Sequence, residues 1–397
     1  MLRSPFLALT TVWLLVTGVL WVAVSTGIIV APHGFRLITA LIIAISIMAW
    51  GLGEAAARLM FCSLSSRGNA TNQSSCATTT PINGRRGLVL LFLLAILSGT
   101  GYIVFLRTWG VIGILQSYSP VGTFSELNVE IAERTATFGG FVGRLYILSG
   151  LGLALTSYLL ARGELSKRTA MFFGTAFLVM LVSPRRALLL QGGLLAVMVY
   201  AQSNRDKQQF RLIGLATAVV LAAFVGTQTL LGKTEANFTG IASSIVLYIG
   251  ANIPTMDQLL HTSHFEQTHV TLNVFFRIIN ALFGSRYPTA LDVPFTDVGV
   301  YSNTVPFQYY IYKDGGLLGV AVMSAALGFL AHVVNRTAAL KNTFGMTWIN
   351  AAFFVFIFFS FREFTLITYN WLFLLLIAML ISAFLHSGRP LDPARVV

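Results

Sequence analysis

Charge is scarce in this sequence. Only 10% of its 397 residues are Asp, Glu, Lys or Arg, while 56% are hydrophobic; a soluble domain carries about 25% charged residues. That excludes an ordinary water-soluble protein and leaves no room for a separate soluble domain of normal size. Cysteine is scarcer still. Cys62 and Cys76 are the only two, which excludes a disulfide framework and any zinc-type spacing. Acid is short relative to base, with 14 Asp and Glu against 26 Lys and Arg and a formal net charge of +12. In a soluble protein such an excess points to nucleic acid. Here the basic residues are dispersed over many short connections and form no single stripe, so nucleic acid is excluded as a partner and membrane topology accounts for most of the charge.

Apolar length is what the chain has in abundance. A bilayer core of about 30 Å needs about 20 apolar residues per helix, and runs of that order fall at 6–30, 36–60, 87–106, 139–161, 169–182, 187–202, 212–231, 315–334, 346–360 and 365–386. This predicts an all-α polytopic membrane protein of ten helices, a single membrane domain over 1–397, with both termini on one side. The first run is longer than a secretory h-region and only Arg3 precedes it, so it reads as a retained helix. With the N-terminus inside, Arg58, Arg67, Arg85, Arg86, Arg162, Lys167, Arg168, Arg205, Lys207, Arg211, Arg336, Lys341, Arg389 and Arg395 all fall on the cytoplasmic side. The positive-inside rule is then obeyed at every inner loop.

Two connections stand apart. Residues 62–86 are rich in Ser, Thr, Asn and Gly and read as a flexible cytoplasmic linker. Residues 232–313, between the seventh and eighth helices, form the largest outer segment; it is too long for a passive connector. Within it, 241–252 and 270–283 have helical character. A smaller outer loop, 107–138, carries Glu126, Glu130 and Glu133.

Arg185 and Arg186 break the charge rule. They stand together in the turn Ser183-Pro184-Arg185-Arg186, on the outer side. Two like charges in one tight turn repel unless an anion is shared between them. Arg362, Arg144, Arg277 and Arg286 lie at the same outer level. Guanidinium forks bind phosphate in a bidentate manner, and an electrostatic clamp on a departing diphosphate is a way to catalyse its loss. Each arginine read alone is also an ordinary interfacial snorkel. For proton transfer the candidates are Asp314, Glu363 and the set Asp257, His261, His264, Glu266 and His269. Asp314 precedes Gly315 and Gly316 at the expected start of the eighth helix, where it doubles as an N-cap. Glu363 doubles as an ion-pair partner of Arg362. The histidine spacings match no metal motif, and no metal or cofactor is expected. Aromatic rings at Tyr287, Tyr301, Phe307, Tyr309, Tyr310 and Tyr312 suit sugar stacking, or the belt of a membrane interface.

Two passages carry a family resemblance. SPRRALLL at 183–190 is similar to an arginine-bearing outer turn, and VYSNTVPFQYYIYKDGGLLGV at 300–320 to an Asn-Thr, aromatic, Asp-Gly-x-x-Gly passage, of the O-antigen polymerase (Wzy-type) oligosaccharide repeat-unit polymerases. Two arginines stand where the family pattern has one. The rest of the chain resembles the family in architecture alone. The resemblance implies a multi-helix glycosyltransferase of the GT-C kind in the bacterial inner membrane, with its active site on the periplasmic face. It implies a donor glycan on undecaprenyl diphosphate, an acceptor at the end of another lipid-linked repeat unit, and a chain-length regulator as a partner. Arg185, Arg186, Arg362, Arg277, Arg286 and Arg144 would hold the diphosphate. Asp314, Glu363 or His269 would take the proton, and Tyr309, Tyr310 and Asn303 would face sugar. An O-antigen ligase shares the donor and the large loop, and the histidines keep it open; a peptidoglycan polymerase of the elongation and division type shares the architecture but not its motifs. A transporter or flippase of lipid-linked oligosaccharides would call for charged or broken helices inside the membrane, and the expected helix centres are largely uncharged.

Overall fold

A computed structural model describes residues 4–29, 36–67, 82, 84–109, 142–143, 145–181, 186–204, 246, 249–262, 296–298, 301–302, 304–362 and 369–387. The helices are α1 (Pro5–Ser25), α2 (Leu37–Arg67), α3 (Gly84–Trp109), α4 (Leu148–Ala161), α5 (Lys167–Leu181), α6 (Arg186–Ser203), α7 (Asn252–Thr262), α8 (Phe307–Lys341), α9 (Phe344–Phe359) and α10 (Tyr369–His386). A 3-10 turn, Leu145–Ile147, leads into α4, and an antiparallel pair, β1 (Thr296–Asp297) and β2 (Tyr301–Ser302), matches Thr296 to Ser302 and Asp297 to Tyr301. By length and composition, Pro5–Ser25, Leu37–Ser63, Gly84–Arg107 and Phe307–Lys341 can cross a membrane; Leu145–Ala161, Leu189–Ser203, Phe344–Phe359 and Trp371–His386 are shorter apolar helices. Large apolar side chains stay exposed along α1 to α3, among them Leu14, Leu15, Trp21, Leu52, Leu59, Phe92 and Ile96. Such a surface suits lipid and not water.

Nine of the expected helical runs correspond to observed helices; the expected run 212–231 lies outside the described residues. Four local expectations are corrected. The expected run 139–161 is not one continuous α-helix: residues 142–143 are helical, Leu145–Ile147 form a 3-10 turn, and the α-helix proper begins at Leu148, while 139–141 lie outside the described residues. Helix α2 continues to Arg67 and α3 begins at Gly84, so helix extends into both ends of the 62–86 segment. In the large loop a helix runs over Asn252–Thr262, beyond the expected 241–252, of which the described residues 246, 249 and 250 are helical. The eighth helix begins at Phe307, well before 315, for a reason that bears on the site below.

Contacts divide the chain into two compact units. The first comprises Met1–Cys76, Ala242–Thr337 and Phe353–Phe373, and the second Ala77–Ile241, Ala338–Ala352 and Leu374–Val397. In the second unit α4 is the central helix, buried at every residue from Leu148 to Thr156. It packs on α3, α5 and α6. Gly152 gives the fully buried Phe177 ring its place, and Gly101 on α3 lets the Tyr146 backbone approach, where a Cβ would lie 2.5 Å from its nitrogen. Tyr158 donates a 2.8 Å hydrogen bond to the Asn342 carbonyl in the turn between α8 and α9, and its ring meets Phe344 edge-on.

The first unit is built on α1, α2 and α8. Ser4 caps α1 and Pro5 opens it, the arrangement favoured at a helix start. Phe6 and Ser4 both bond Glu54 in the second half of α2. Ala23 near the end of α1, and Ile29 just beyond it, lie beside Gly250, next to the helix that meets Arg36 and Thr39 at the start of α2, so α1 and α2 are antiparallel. Helix α2 and the long part of α8 run parallel. Ser46 meets Ser324, the Trp50 carbonyl meets Gly328, Gly53 meets the Ala325 carbonyl, and His332 comes near Glu54. Small residues at Ala49, Gly53 and Ala57 on α2, and at Ser324, Ala325, Gly328 and Ala331 on α8, permit this backbone approach, as in other close helix pairs in membranes.

Candidate functional site

Residues 307–341 are not one straight rod. Gly316 has φ 61° and ψ −157°, outside the helical region, so the helix is interrupted there. The sequence Asp314-Gly315-Gly316 makes the break possible, because a positive φ is strained for any residue with a Cβ. A Cβ on Gly319 would lie 3.3 Å from the Ile311 carbonyl. In an uninterrupted helix, positions eight apart are separated by about 12 Å along the axis. The 307–315 segment therefore folds back beside the start of the 317–341 helix. That second part, about 37 Å long at 1.5 Å per residue, is the piece that crosses.

The start of the folded-back segment is anchored in the core. Phe307 N–H donates to the Ser360 carbonyl at 3.0 Å, and the Phe307 ring packs edge-on against Phe356, which in turn meets Trp50. Arg362 N–H closes the end of α9 on the Phe359 carbonyl at 2.8 Å. The turn that carries Arg362 is thus fixed next to the segment that carries Tyr309, Tyr310, Lys313 and Asp314. Tyr309 is buried and stands edge-on to the half-buried Tyr310 at 6.0 Å between centroids; Lys313 is buried and Asp314 half-buried.

Helix α7 closes the same end. Asn252, buried at its start, accepts a hydrogen bond from the Thr304 hydroxyl, three residues before Phe307. One turn further, an Asp257 carboxylate oxygen accepts from Arg36 N–H at 3.1 Å and from the Thr39 hydroxyl. It thereby satisfies donors at the first turn of α2, where helices leave N–H groups unpaired. The Arg36 guanidinium meets the His261 ring. Because α2 runs parallel to the long part of α8, its start lies at the end where α8 folds back. Arg36, Asp257, His261, Asn252, Thr304, Asp314 and Arg362 therefore belong to one end of the first unit.

Of the residues expected from sequence, this end gathers Tyr309, Tyr310, Asp314 and Arg362, together with Asp257 and His261. Asp314 is corrected in its local role: it lies inside the folded-back segment, not at the first cap of a helix over 315–334, because the chain is already helical from Phe307. Arg186 opens α6 in the second unit. Arg185, Arg144, Arg277, Arg286, His269, Glu363 and Asn303 lie outside the described residues. Sequence reasoning overlooked Arg36 and the buried Lys313. It also overlooked Glu54, a carboxylate only 2% exposed inside α2. The signal for Glu54 was available: it is the one acid in the 36–60 run, and an ionisable residue inside an apolar helix is a candidate by default.

No protein-family model matches the chain, and no curated protein or solved structure matches it either.

Proposed function

We propose that the protein is a membrane glycosyltransferase that polymerises oligosaccharide repeat units carried on undecaprenyl diphosphate, working at the periplasmic face of the bacterial inner membrane. One observation carries the reading. The backbone bond from Phe307 to Ser360 joins the Tyr309 to Asp314 segment to the Arg362 turn, uniting an aromatic surface for sugar, a carboxylate and a guanidinium. In this reading Arg362 stabilises the diphosphate as it leaves. Asp314 accepts the proton from the attacking sugar hydroxyl. The glycosidic bond forms between that hydroxyl oxygen and the donor's anomeric carbon, while the carbon–oxygen bond to diphosphate breaks. Tyr310 seats sugar by stacking, with the buried Tyr309 ring supporting it edge-on.

Asp314→Asn is the discriminating variant. Asn is nearly isosteric but cannot accept a proton at neutral pH, so it is expected to leave protein level unchanged while reducing surface glycan to single repeat units, a loss of roughly a hundredfold or more. Normal chain length in this variant would remove Asp314 from the chemistry.

A second reading, transport of the same lipid-linked glycan, is favoured by two observations: the interruption at Gly316 and the buried Glu54 inside α2. Broken helices and intramembrane carboxylates are common in transporters. The two readings separate in purified protein. A polymerase extends lipid-linked repeat units in detergent with no membrane present; a transporter does not.

A further inference from the structure

The opposite end of the first unit carries a second set of ionisable groups. Glu54 accepts from the Ser4 hydroxyl at 2.8 Å, from Phe6 N–H at 2.6 Å and from Arg58 Nη2 at 2.5 Å, and Arg58 Nη2 also reaches the Ser4 hydroxyl. His332 on α8 stands beside this carboxylate, its Nδ1 3.7 Å from Oε1. That is beyond hydrogen-bond reach, and both ring nitrogens of His332 are buried without a hydrogen-bond partner among the described residues. One helical turn beyond Glu54 and His332 come Arg58 and Arg336. The parallel register of α2 and α8 sets these two arginines at one level. Arg58 keeps 54% of its side chain exposed, and the Arg336 guanidinium lies 4.9 Å from the Phe61 ring centre. Arg58 alone of the two guanidinium groups reaches the Glu54 carboxylate, which Ser4 and Phe6 also occupy, so Arg336 is left without a carboxylate partner among the described residues.

We propose that Arg58 and Arg336 form a binding site for a phosphate group, presented by an anionic lipid at the membrane surface. The site lies at the other end of the unit from Asp314 and is independent of the function proposed above. The excess positive charge calls for an anion. Paired guanidinium forks fit phosphate oxygens, and the His332 ring, its nitrogens buried, forms the floor between the two arginine-bearing helices. Basic pockets between membrane helices bind lipid headgroups in this manner. Glu54 gives the site its shape by holding Arg58 against the start of α1.

The test uses the purified full-length protein in detergent, with thermal unfolding followed as phosphatidylglycerol, phosphatidylcholine or inorganic phosphate is added. Phosphatidylglycerol is expected to raise the unfolding midpoint and phosphatidylcholine to leave it unchanged. Arg336→Gln, at an exposed position outside the Glu54 contacts, is expected to weaken the half-effective phosphatidylglycerol concentration roughly tenfold, as loss of one charge-assisted contact implies. Arg168→Gln, an exposed arginine of the second unit, serves as the control and keeps the wild-type response. Equal stabilisation by inorganic phosphate, also lost in Arg336→Gln, would retain the site and assign it to free phosphate. An unchanged response in Arg336→Gln, or an equal loss in Arg168→Gln, would overturn it, since the effect would then be bulk attraction to a basic protein.

Discussion

In the second unit the central helix α4 is held along its length mainly by side chains: Phe177 occupies the space above Gly152, Leu181 reaches Gly150, and Tyr158 ties its end to the Asn342 carbonyl, while backbone approaches backbone at its entry, where Gly101 meets Tyr146. In the first unit, by contrast, α2 and α8 meet backbone to backbone at Gly53 and Gly328, with polar groups at the centre and both ends of the contact. Side-chain packing tolerates adjustment; a carbonyl against a glycine does not. The ionisable groups follow the same division. Glu54, His332, Asp257, Lys313 and Asp314 are held in the first unit, whereas the interior of α4 is apolar but for Ser149, Thr156 and Tyr158. Buried charge is costly in an apolar interior and persists where it is used. Among the described residues, the buried ionisable groups thus concentrate in the first unit and not around α4.

The sharpest way to break that contrast is to add one methyl group to each. In Gly53→Ala the new Cβ falls on the Ala325 carbonyl oxygen, and in Gly152→Ala on the Phe177 ring. Helix propensity favours both changes by about 1 kcal/mol, so any loss comes from the clash. Gly152→Ala is expected to cost about 1–3 kcal/mol, the usual range for overpacking. Gly53→Ala requires two helices to separate, and is expected to leave little folded protein after detergent extraction, as read by size-exclusion chromatography. Comparable yields for the two variants would show that α2 and α8 part freely.

A smaller effect is expected at the ion contacts. Glu54→Gln leaves Arg58 without its carboxylate and weakens the anchor of α1, for an expected loss of about 1–3 kcal/mol, tempered by the exposure of Arg58. In the second unit, Arg86 holds the end of α10 through the Phe384 carbonyl at 3.1 Å and Ser387 Oγ at 3.0 Å, at an exposed position. Arg86→Gln is expected to cost less than about 1 kcal/mol. Thermal unfolding of both variants in one detergent decides the order. If Arg86→Gln were the more damaging, the buried carboxylate contacts of the first unit would not be the stronger ones.

The fold was largely legible in the sequence because membrane helices announce themselves by apolar length. Helices α1, α3, α5, α6 and α9 fall within a few residues of expectation. What was not legible is where a helix turns back. The run across 307–341 is apolar and aromatic on both sides of Gly316, and nothing in its periodicity distinguishes a rod from a hairpin. The paired glycines were visible, but a Gly-Gly pair also suits a helix start, and it was read that way. At the site, Asp314, Tyr309, Tyr310 and Arg362 were found from their chemistry. Arg36 escaped because its role depends on Asp257, more than two hundred positions away. Glu54 is masked in the sequence by Arg58 four residues on, a spacing that suits an ordinary ion pair on one helix face.

The smallest effect tests whether polar contact at the centre of the α2–α8 pair contributes beyond close packing. Ser46 and Ser324 are both buried, and their hydroxyls lie 2.9 Å apart. In the second unit the nearest counterpart is Ser98, whose hydroxyl bonds its own helix at Leu94 and touches the Met180 sulfur at 3.3 Å. A hydroxyl that can turn back to its own helix carbonyl loses little when its partner is removed. Ser46→Ala and Ser324→Ala should therefore each be mild, and a double-mutant cycle should give a coupling of about 0.6 kcal/mol, the typical value for hydrogen bonds between membrane helices. Ser98→Ala should be close to neutral, since its main acceptor is already bonded within α3. A Ser46–Ser324 coupling near zero would mean that glycine packing alone sets the register of the pair. A value above about 2 kcal/mol would instead mean that the bond is strengthened by a dry surround, and that the centre of the first unit is closed to water even though both of its ends carry charge.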